Sequence, residues 1–216
     1  AGKATARGGN VYLGGLAQAG IVDLNEDGSL SFPQDVTLAN ISLTNDAGVD
    51  VRSTGGGSIT INAQNLSLAR GEFGSSFIRG GLLVNSDNSE AQAGDITLNV
   101  TDNITLNDSF IANLVDSGSI GDSGSIAINT GSLELINGGQ VNASNSGRGD
   151  AGAISIIALG NIIADGESPI NSSPSRIISA VGADAEGNAG TVNISVNDLT
   201  IKNGARIATI AGGQGN

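Results

Sequence analysis

Carboxylates, arginines and glycine-rich turns are the residues of this chain that could carry chemistry, because histidine and cysteine are absent. Acid–base cleavage of a glycan needs carboxylates that converge, with a basic residue to accept a proton or clamp the substrate. The tightest acidic groups are Asp46 with Asp50, and Asp23 with Glu26 and Asp27. Both groups read as turn or outward positions. Lysine occurs only as Lys3 and Lys202, and the arginines are scattered along the chain. These residue types predict no catalytic site, no thiolate chemistry and no disulfide.

Calcium is the cofactor that the residue types leave open. Turn aspartates such as Asp23, Asp27, Asp108, Asp116 and Asp122 carry suitable oxygen ligands. The Gly-Gly-x-Gly-x-Asp repeat that stacks calcium does not recur, however. These aspartates are therefore read as bonding their own turns, and no cofactor is expected. Arg148-Gly149-Asp150 is the candidate partner-binding site, because Arg-Gly-Asp can bridge the acidic and metal-bearing surfaces of an integrin. It sits in Ser-Gly-Arg-Gly-Asp-Ala-Gly, one turn before the apolar pair at Ile154. The plainer reading is a chance tripeptide in a chain rich in glycine and aspartate. Gly55-Gly-Gly57 is followed by neither Gly-Lys-Ser/Thr nor a helix, so it does not read as a phosphate loop.

Composition narrows the partners. Against 21 acidic residues stand 9 basic ones, a net charge of −12. No basic stripe is visible in the sequence, which predicts no nucleic-acid binding. No apolar run approaches the roughly 18 residues that span a bilayer as a helix. The opening Ala1-Gly-Lys-Ala and the closing Gly212-Gly-Gln-Gly-Asn216 predict an interior piece of a longer protein.

The elements that must position these residues follow from a repeat. Gly57-Ser-Ile59-Thr-Ile61-Asn62 is echoed at Gly94, Gly124, Gly152 and Gly190, each glycine followed by two alternating apolar residues. A second alternating pair comes next: Leu66/Leu68, Ile104/Leu106, Leu133/Leu135 and Leu199/Ile201. Then come a turn and a third apolar stretch, at Phe110-Ile111, Val141 or Ile207. Alternation with period two marks half-buried strands. Short strands between glycine and asparagine turns at a recurring interval mark a solenoid. With aromatics at 2% and no Trp, a thin interior filled by Ile, Val, Leu and Ala suits the composition.

Repeat starts are 37, 30, 28 and 38 residues apart, so the longer units must carry insertions. They are placed at residues 79–93 and 166–187, on one side of the rod, where loops on a rigid scaffold would make contacts. Asn62, Asn99 and Asn129 are predicted to stack in a ladder at a corner, where asparagine tolerates left-handed geometry. Outward threonines are interrupted by Ala127, Ser155 and Glu134, too irregular for an ice-binding face. Residues 1–56 alternate less regularly, and Pro33 should end the strand before it.

Leu13-Gly-Gly-Leu-Ala17, Ile21-Val-Asp-Leu-Asn25, Leu30-Ser-Phe-Pro33 and Ile41-Ser-Leu-Thr-Asn45 together resemble the haemagglutination-activity region of filamentous-haemagglutinin-like proteins. The cyanobacterial-type variants are the most similar. Residues 57–68, Asn203-Gly-Ala-Arg-Ile-Ala208 and the closing Gly213-Gln-Gly-Asn216 resemble the repeats that follow in that family. The resemblance divides the chain into 1–56, the C-terminal part of such a region, and 57–216, β-helix repeats with units starting near 57, 94, 124, 152 and 190.

What it implies is an all-β, right-handed parallel β-helix in a secreted exoprotein of a two-partner secretion system. Such a protein is exported through an outer-membrane transporter to the bacterial outer surface. The implied function is adhesion to a cell-surface or extracellular glycan or protein, with no enzyme activity. The alternative is a polysaccharide-active β-helix enzyme, a lyase or hydrolase. Within the family the turn at 147–152 commonly reads Gly-Gln-Gly-Asn-Ala-Gly, which makes Arg148 and Asp150 variations on a turn motif.

Overall fold

A computed structural model describes residues 2–33, 35–84 and 91–213. Their strands, in chain order, begin with β1 (Lys3–Thr5), β2 (Val11–Gly14), β3 (Asp23–Leu24), β4 (Leu30–Ser31), β5 (Ile41–Leu43) and β6 (Gly48–Asp50). Five further turns of the chain each supply three strands. These are β7 (Ile59–Ala63), β8 (Leu66–Ala69) and β9 (Phe77–Leu82), then β10 (Ile96–Val100), β11 (Asn103–Asn107) and β12 (Phe110–Val115). β13 (Ile126–Thr130), β14 (Ser132–Ile136) and β15 (Gln140–Asn142) follow, then β16 (Ile154–Ala158), β17 (Asn161–Asp165) and β18 (Arg176–Val181). β19 (Val192–Ser195), β20 (Asp198–Lys202) and β21 (Arg206–Ala211) close the series.

Every third strand pairs in parallel with its counterpart one turn later. The first sheet runs β2-β7-β10-β13-β16-β19, the second β5-β8-β11-β14-β17-β20, and the third β1-β6-β9-β12-β15-β18-β21. The chain is a parallel β-helix of six rungs, with β1 as one extra strand on the third sheet. The three sheets continue across 56/57 through the pairs β2–β7, β5–β8 and β6–β9.

The period-two pattern decides what is inside. Ile59, Ile96, Ile126 and Ile154 stack on one another, and Ile61, Leu98, Ile128 and Ile156 form the column beside them. Leu68, Leu106 and Leu135 stack in the second sheet, and Ile78, Ile111, Val141 and Ile177 in the third. These side chains are essentially excluded from solvent. Each rung therefore buries its apolar residues against the rungs on either side, which makes stability a nearest-neighbour property.

The repeat glycine has a steric cause. A Cβ on Gly94 would lie 2.6 Å from the Gly57 carbonyl oxygen, one on Gly124 2.3 Å from that of Gly94, and one on Gly152 2.1 Å from that of Gly124. The backbone of one rung occupies the space a side chain would need on the next, so the corner from third to first sheet admits only glycine.

The asparagine ladder is present. Asn99 Nδ2 donates to Asn62 Oδ1 at 3.1 Å, and Asn129 Nδ2 to Asn99 Oδ1 at 3.1 Å. It lies on the outer face of the first sheet, within β7, β10 and β13, rather than at a corner. Left-handed backbone is instead taken up between second and third sheets by Asn45, Asp46, Asp108, Asn137 and Asn203, whose φ lies between 44° and 64°. Because the ladder amides are partly open to water, Asn99→Ala is expected to lose only about 1 kcal/mol. Urea denaturation reads this loss, and an unchanged midpoint would show that the ladder adds nothing.

Insertions leave the rod at different corners rather than on one side. Residues 15–40 leave between the first and second sheets and carry the antiparallel pair β3–β4, with Ile21 and Leu24 exposed. β4 ends at Ser31, ahead of Pro33. The stretch 166–187 is not one loop, because β18 occupies its middle and buries Ile177. What leaves the rod there is 166–175, since 182–187 bonds to the rung before it, through the Gly182 N–H to the Asn145 carbonyl and the Glu186 N–H to that of Gly147. Of 79–93, the first four residues complete β9, and 85–90 lie outside the described residues.

Candidate functional site

The aspartates considered for calcium are distributed among turns. Asp27 accepts from the Ser29 backbone N–H at 2.9 Å and its hydroxyl at 2.6 Å, and these bonds hold its carboxyl below the ordinary carboxylate range. Asp122 accepts from the Asp150 N–H at 2.7 Å. Asp108 is buried at the left-handed corner, with Oδ2 3.7 Å from Arg70 Nε. Asp23 lies in the exposed hairpin strand β3. Among the described residues no three acidic side chains gather closely enough to hold a metal ion.

Arg148, Gly149 and Asp150 are built into the contacts between rungs. Arg148 pairs with Glu186 of the next rung, Nη2 to Oε2 at 2.8 Å. Gly149 has φ +133° and stacks between Gly121 and Gly187, both in the same conformation. Asp150 Oδ1 accepts from the Asn188 backbone N–H at 2.7 Å and from its side-chain amide at 3.1 Å. The tripeptide thus bonds along the axis in a fixed corner rather than standing on a projecting loop.

A different group of residues converges on the outer face of the third sheet. Register places Lys3, Gly48, Phe77, Phe110, Gln140, Arg176 and Arg206 in one column. Arg79 lies two residues along, beside Asp50 and Ala112. Arg52 reaches the same face, and Arg7 lines its end beside Lys3. Six of the nine cations therefore share one face of an acidic rod. The absence of a basic stripe from the linear sequence does not carry over to the fold: stacking builds one from residues of different rungs.

Neutralisation is uneven. The other three cations are each paired: Arg70 with Asp108, Arg148 with Glu186 and Lys202 with Asp165. On the third sheet, among the described residues, only Arg52 has a carboxylate partner, Asp50, through Nε to Oδ1 at 3.0 Å and Nη2 to Oδ2 at 2.8 Å. Among the described residues, Lys3, Arg7, Arg79, Arg176 and Arg206 have no carboxylate within ion-pair distance. Burial would raise the Asp50 carboxyl, but hydrogen bonds from Arg52 and the charges of Arg52 and Arg79 outweigh it and hold it low. Burial and the Arg52 charge lower Arg79, and burial with the Arg206 charge lowers Arg176. All remain cationic, since a guanidinium does not deprotonate in proteins.

The aromatic rings fix this arrangement. Phe77 and Phe110 stack at 5.8 Å between centroids, and the Arg79 guanidinium carbon lies 4.3 Å and 4.6 Å from the two centroids. Lys3 Nζ covers Phe77 at 5.4 Å, so this outward ring is only 6% exposed. Gly48 leaves room for it, since a Cβ there would stand 2.4 Å from the ring. A cation over a ring face gains roughly 0.5–1 kcal/mol or more as it is desolvated. Sequence reasoning missed this site because its members are separated by unequal intervals. Recurring Ser76-Phe77, Ser109-Phe110 and Ser175-Arg176 could have found it. Those serines are buried at the corner and donate to the carbonyls of Ala69, Leu68 and Asp165, which fixes the residue after each as the first outward position of its strand.

No protein-family model, curated protein or solved structure matches this chain.

Proposed function

We propose that this chain is a β-helical scaffold of a secreted bacterial surface exoprotein, acting in attachment to cells or to the extracellular material around them. The observation that carries the reading is the third sheet's outer face, where six cations gather and, among the described residues, only Arg52 is ion-paired, to Asp50. Asp116 acts on Arg52 and Arg79 by its charge without pairing. A face of that kind can hold an anionic surface, whereas hydrolysis or β-elimination of a glycan calls for a further acid or base at the bond broken. Of the motifs resembling filamentous-haemagglutinin-like proteins, 41–45, 57–68 and 203–208 lie on rungs, while 21–25 and 30–33 lie in the segment that leaves the rod. The resemblance supports export by two-partner secretion, through an outer-membrane transporter, to the cell exterior. A cysteine-free chain suits passage across membranes in an unfolded state.

The test couples attachment to turnover. Beads coated with residues 1–216 are expected to attach to bacterial surfaces and to surface polysaccharides, with no release of reducing or unsaturated sugar ends. Catalytic release of such ends would favour the polysaccharide-active reading. Coated beads that attach no better than bare ones would remove the adhesive one.

A further inference from the structure

We propose that the outer face of the third sheet binds a linear polysaccharide whose charge is carried by carboxylates, lying along the rod across Arg52, Arg79 and Arg176. The inference deepens the surface-attachment reading and rests on it.

Shape comes first. A groove of about 310 Å³ is lined by Arg52, Arg79, Phe110, Gln140, Asn142 and Arg176, and a second of about 220 Å³ by Lys3, Arg7, Asp50 and Arg52. Arg52 belongs to both, so the depressions form one track along the axis. Parallel strands repeat at about 4.8 Å, which sets Arg79 and Arg176, three rungs apart, roughly 14 Å apart along the axis, with Arg79 offset by two residues across it. A linked sugar ring advances by a length close to one rung, so an extended glycan can present acidic groups to successive cations without bending.

Chemistry selects the ligand. The guanidinium fork matches a carboxylate with two parallel hydrogen bonds, and the sheet contains its own example in Arg52 and Asp50. Arg79, Arg176 and Arg206 offer the same donors with no carboxylate partner among the described residues. Arg176 Nε donates to Gln140 Oε1 at 3.0 Å, which fixes both side chains in the groove. Gln140 and Asn142 add neutral amides, which suit the hydroxyls of a sugar rather than a bare polyanion. Single-stranded nucleic acid is disfavoured on geometry. It needs successive open ring faces on which bases stack, and here Phe77 is buried beneath Lys3 and Arg79, while Arg79 also lies over the half-buried Phe110. Elsewhere the acidic surface repels a polyanion, which confines it to this face.

The test uses polygalacturonate as probe, with dextran, dextran sulfate and single-stranded oligothymidylate as comparisons, at low and physiological salt. Polygalacturonate is expected to bind, to weaken as salt rises, and to lose about tenfold or more in the Arg79→Gln/Arg176→Gln double variant. Lys202→Gln, on the second sheet, should bind as the parent does. The thermal midpoint of each variant separates lost contacts from lost fold, and Arg176→Gln alone serves if the double variant is unstable. Equal binding by folded parent and variant overturns the proposal. So does dextran sulfate or oligothymidylate binding at least as tightly as polygalacturonate. If bead attachment persists in either case, the surface-attachment reading stands and this one falls.

Discussion

Gly149→Ala is expected to destabilise the rod by about 3 kcal/mol or more. Two costs combine. The native φ of +133° is a conformation that residues with a side chain adopt at about 1–3 kcal/mol. The added Cβ would also stand 2.2 Å from the Gly121 carbonyl oxygen and 2.8 Å from Asp122 Oδ1, so the two rungs must part, at roughly 1–3 kcal/mol for overpacking. Relief by a side-chain rotation is not open, because the nearest atoms are backbone. Urea denaturation measures the loss, with Gly55→Ala as control. A Cβ on Gly55 meets nothing within 4 Å, and that substitution should stay within about 0.5 kcal/mol of the parent. A Gly149→Ala midpoint equal to that of the control would mean that the rungs do not hold each other at the contact distances described. Since neighbouring rungs stabilise one another, a wedge here also threatens the single transition: unfolding in two steps, one for each side of the wedge, is the expected signature.

Leu106→Ala should cost about 3–5 kcal/mol, toward the upper end of the range for removing a buried leucine. Leu106 has no solvent exposure and lies between Leu68 and Leu135 in the middle of the second sheet. Collapse into the vacated space would require β8 and β14 to approach, and their backbone ladders resist it. Leu199→Ala, in the last rung of that sheet, gives the contrast. Its side chain is 46% exposed, and truncation there should cost about 1 kcal/mol or less. Equal losses at the two positions would show that burial within the stack does not set the energetics.

The inner columns were legible because their information is local. Ile126-Ala-Ile128 and Leu133-Glu-Leu135 declare their buried partners by spacing alone, and the glycine before each first strand marks where a rung begins. β18 was hidden because it follows Ser172-Ser-Pro-Ser175 and starts with Arg176, an outward charge, so the stretch reads as loop until Ile177 is seen beneath Val141. The cationic face was hidden for a related reason. Lys3, Phe77, Phe110, Arg176 and Arg206 become neighbours only once the unequal insertions are subtracted, and apart from Lys3 with Arg7 no short window along the chain contains two of the face's cations. Arg148-Gly149-Asp150 shows the reverse. It is conspicuous as a string, yet each of its residues is occupied by the rung above or below.

The interstrand hydrogen bonds run along the axis while the chain runs across it, and this has a mechanical meaning. A pull on the two ends of the chain does not load all rungs at once; it peels the outermost one first, as a zip opens. Each rung of about 30 residues pays out close to 100 Å of chain before the next is loaded. Tension applied through such a rod is met by stepwise lengthening, so an anchor at one end and a load at the other can move apart without the connection failing at once.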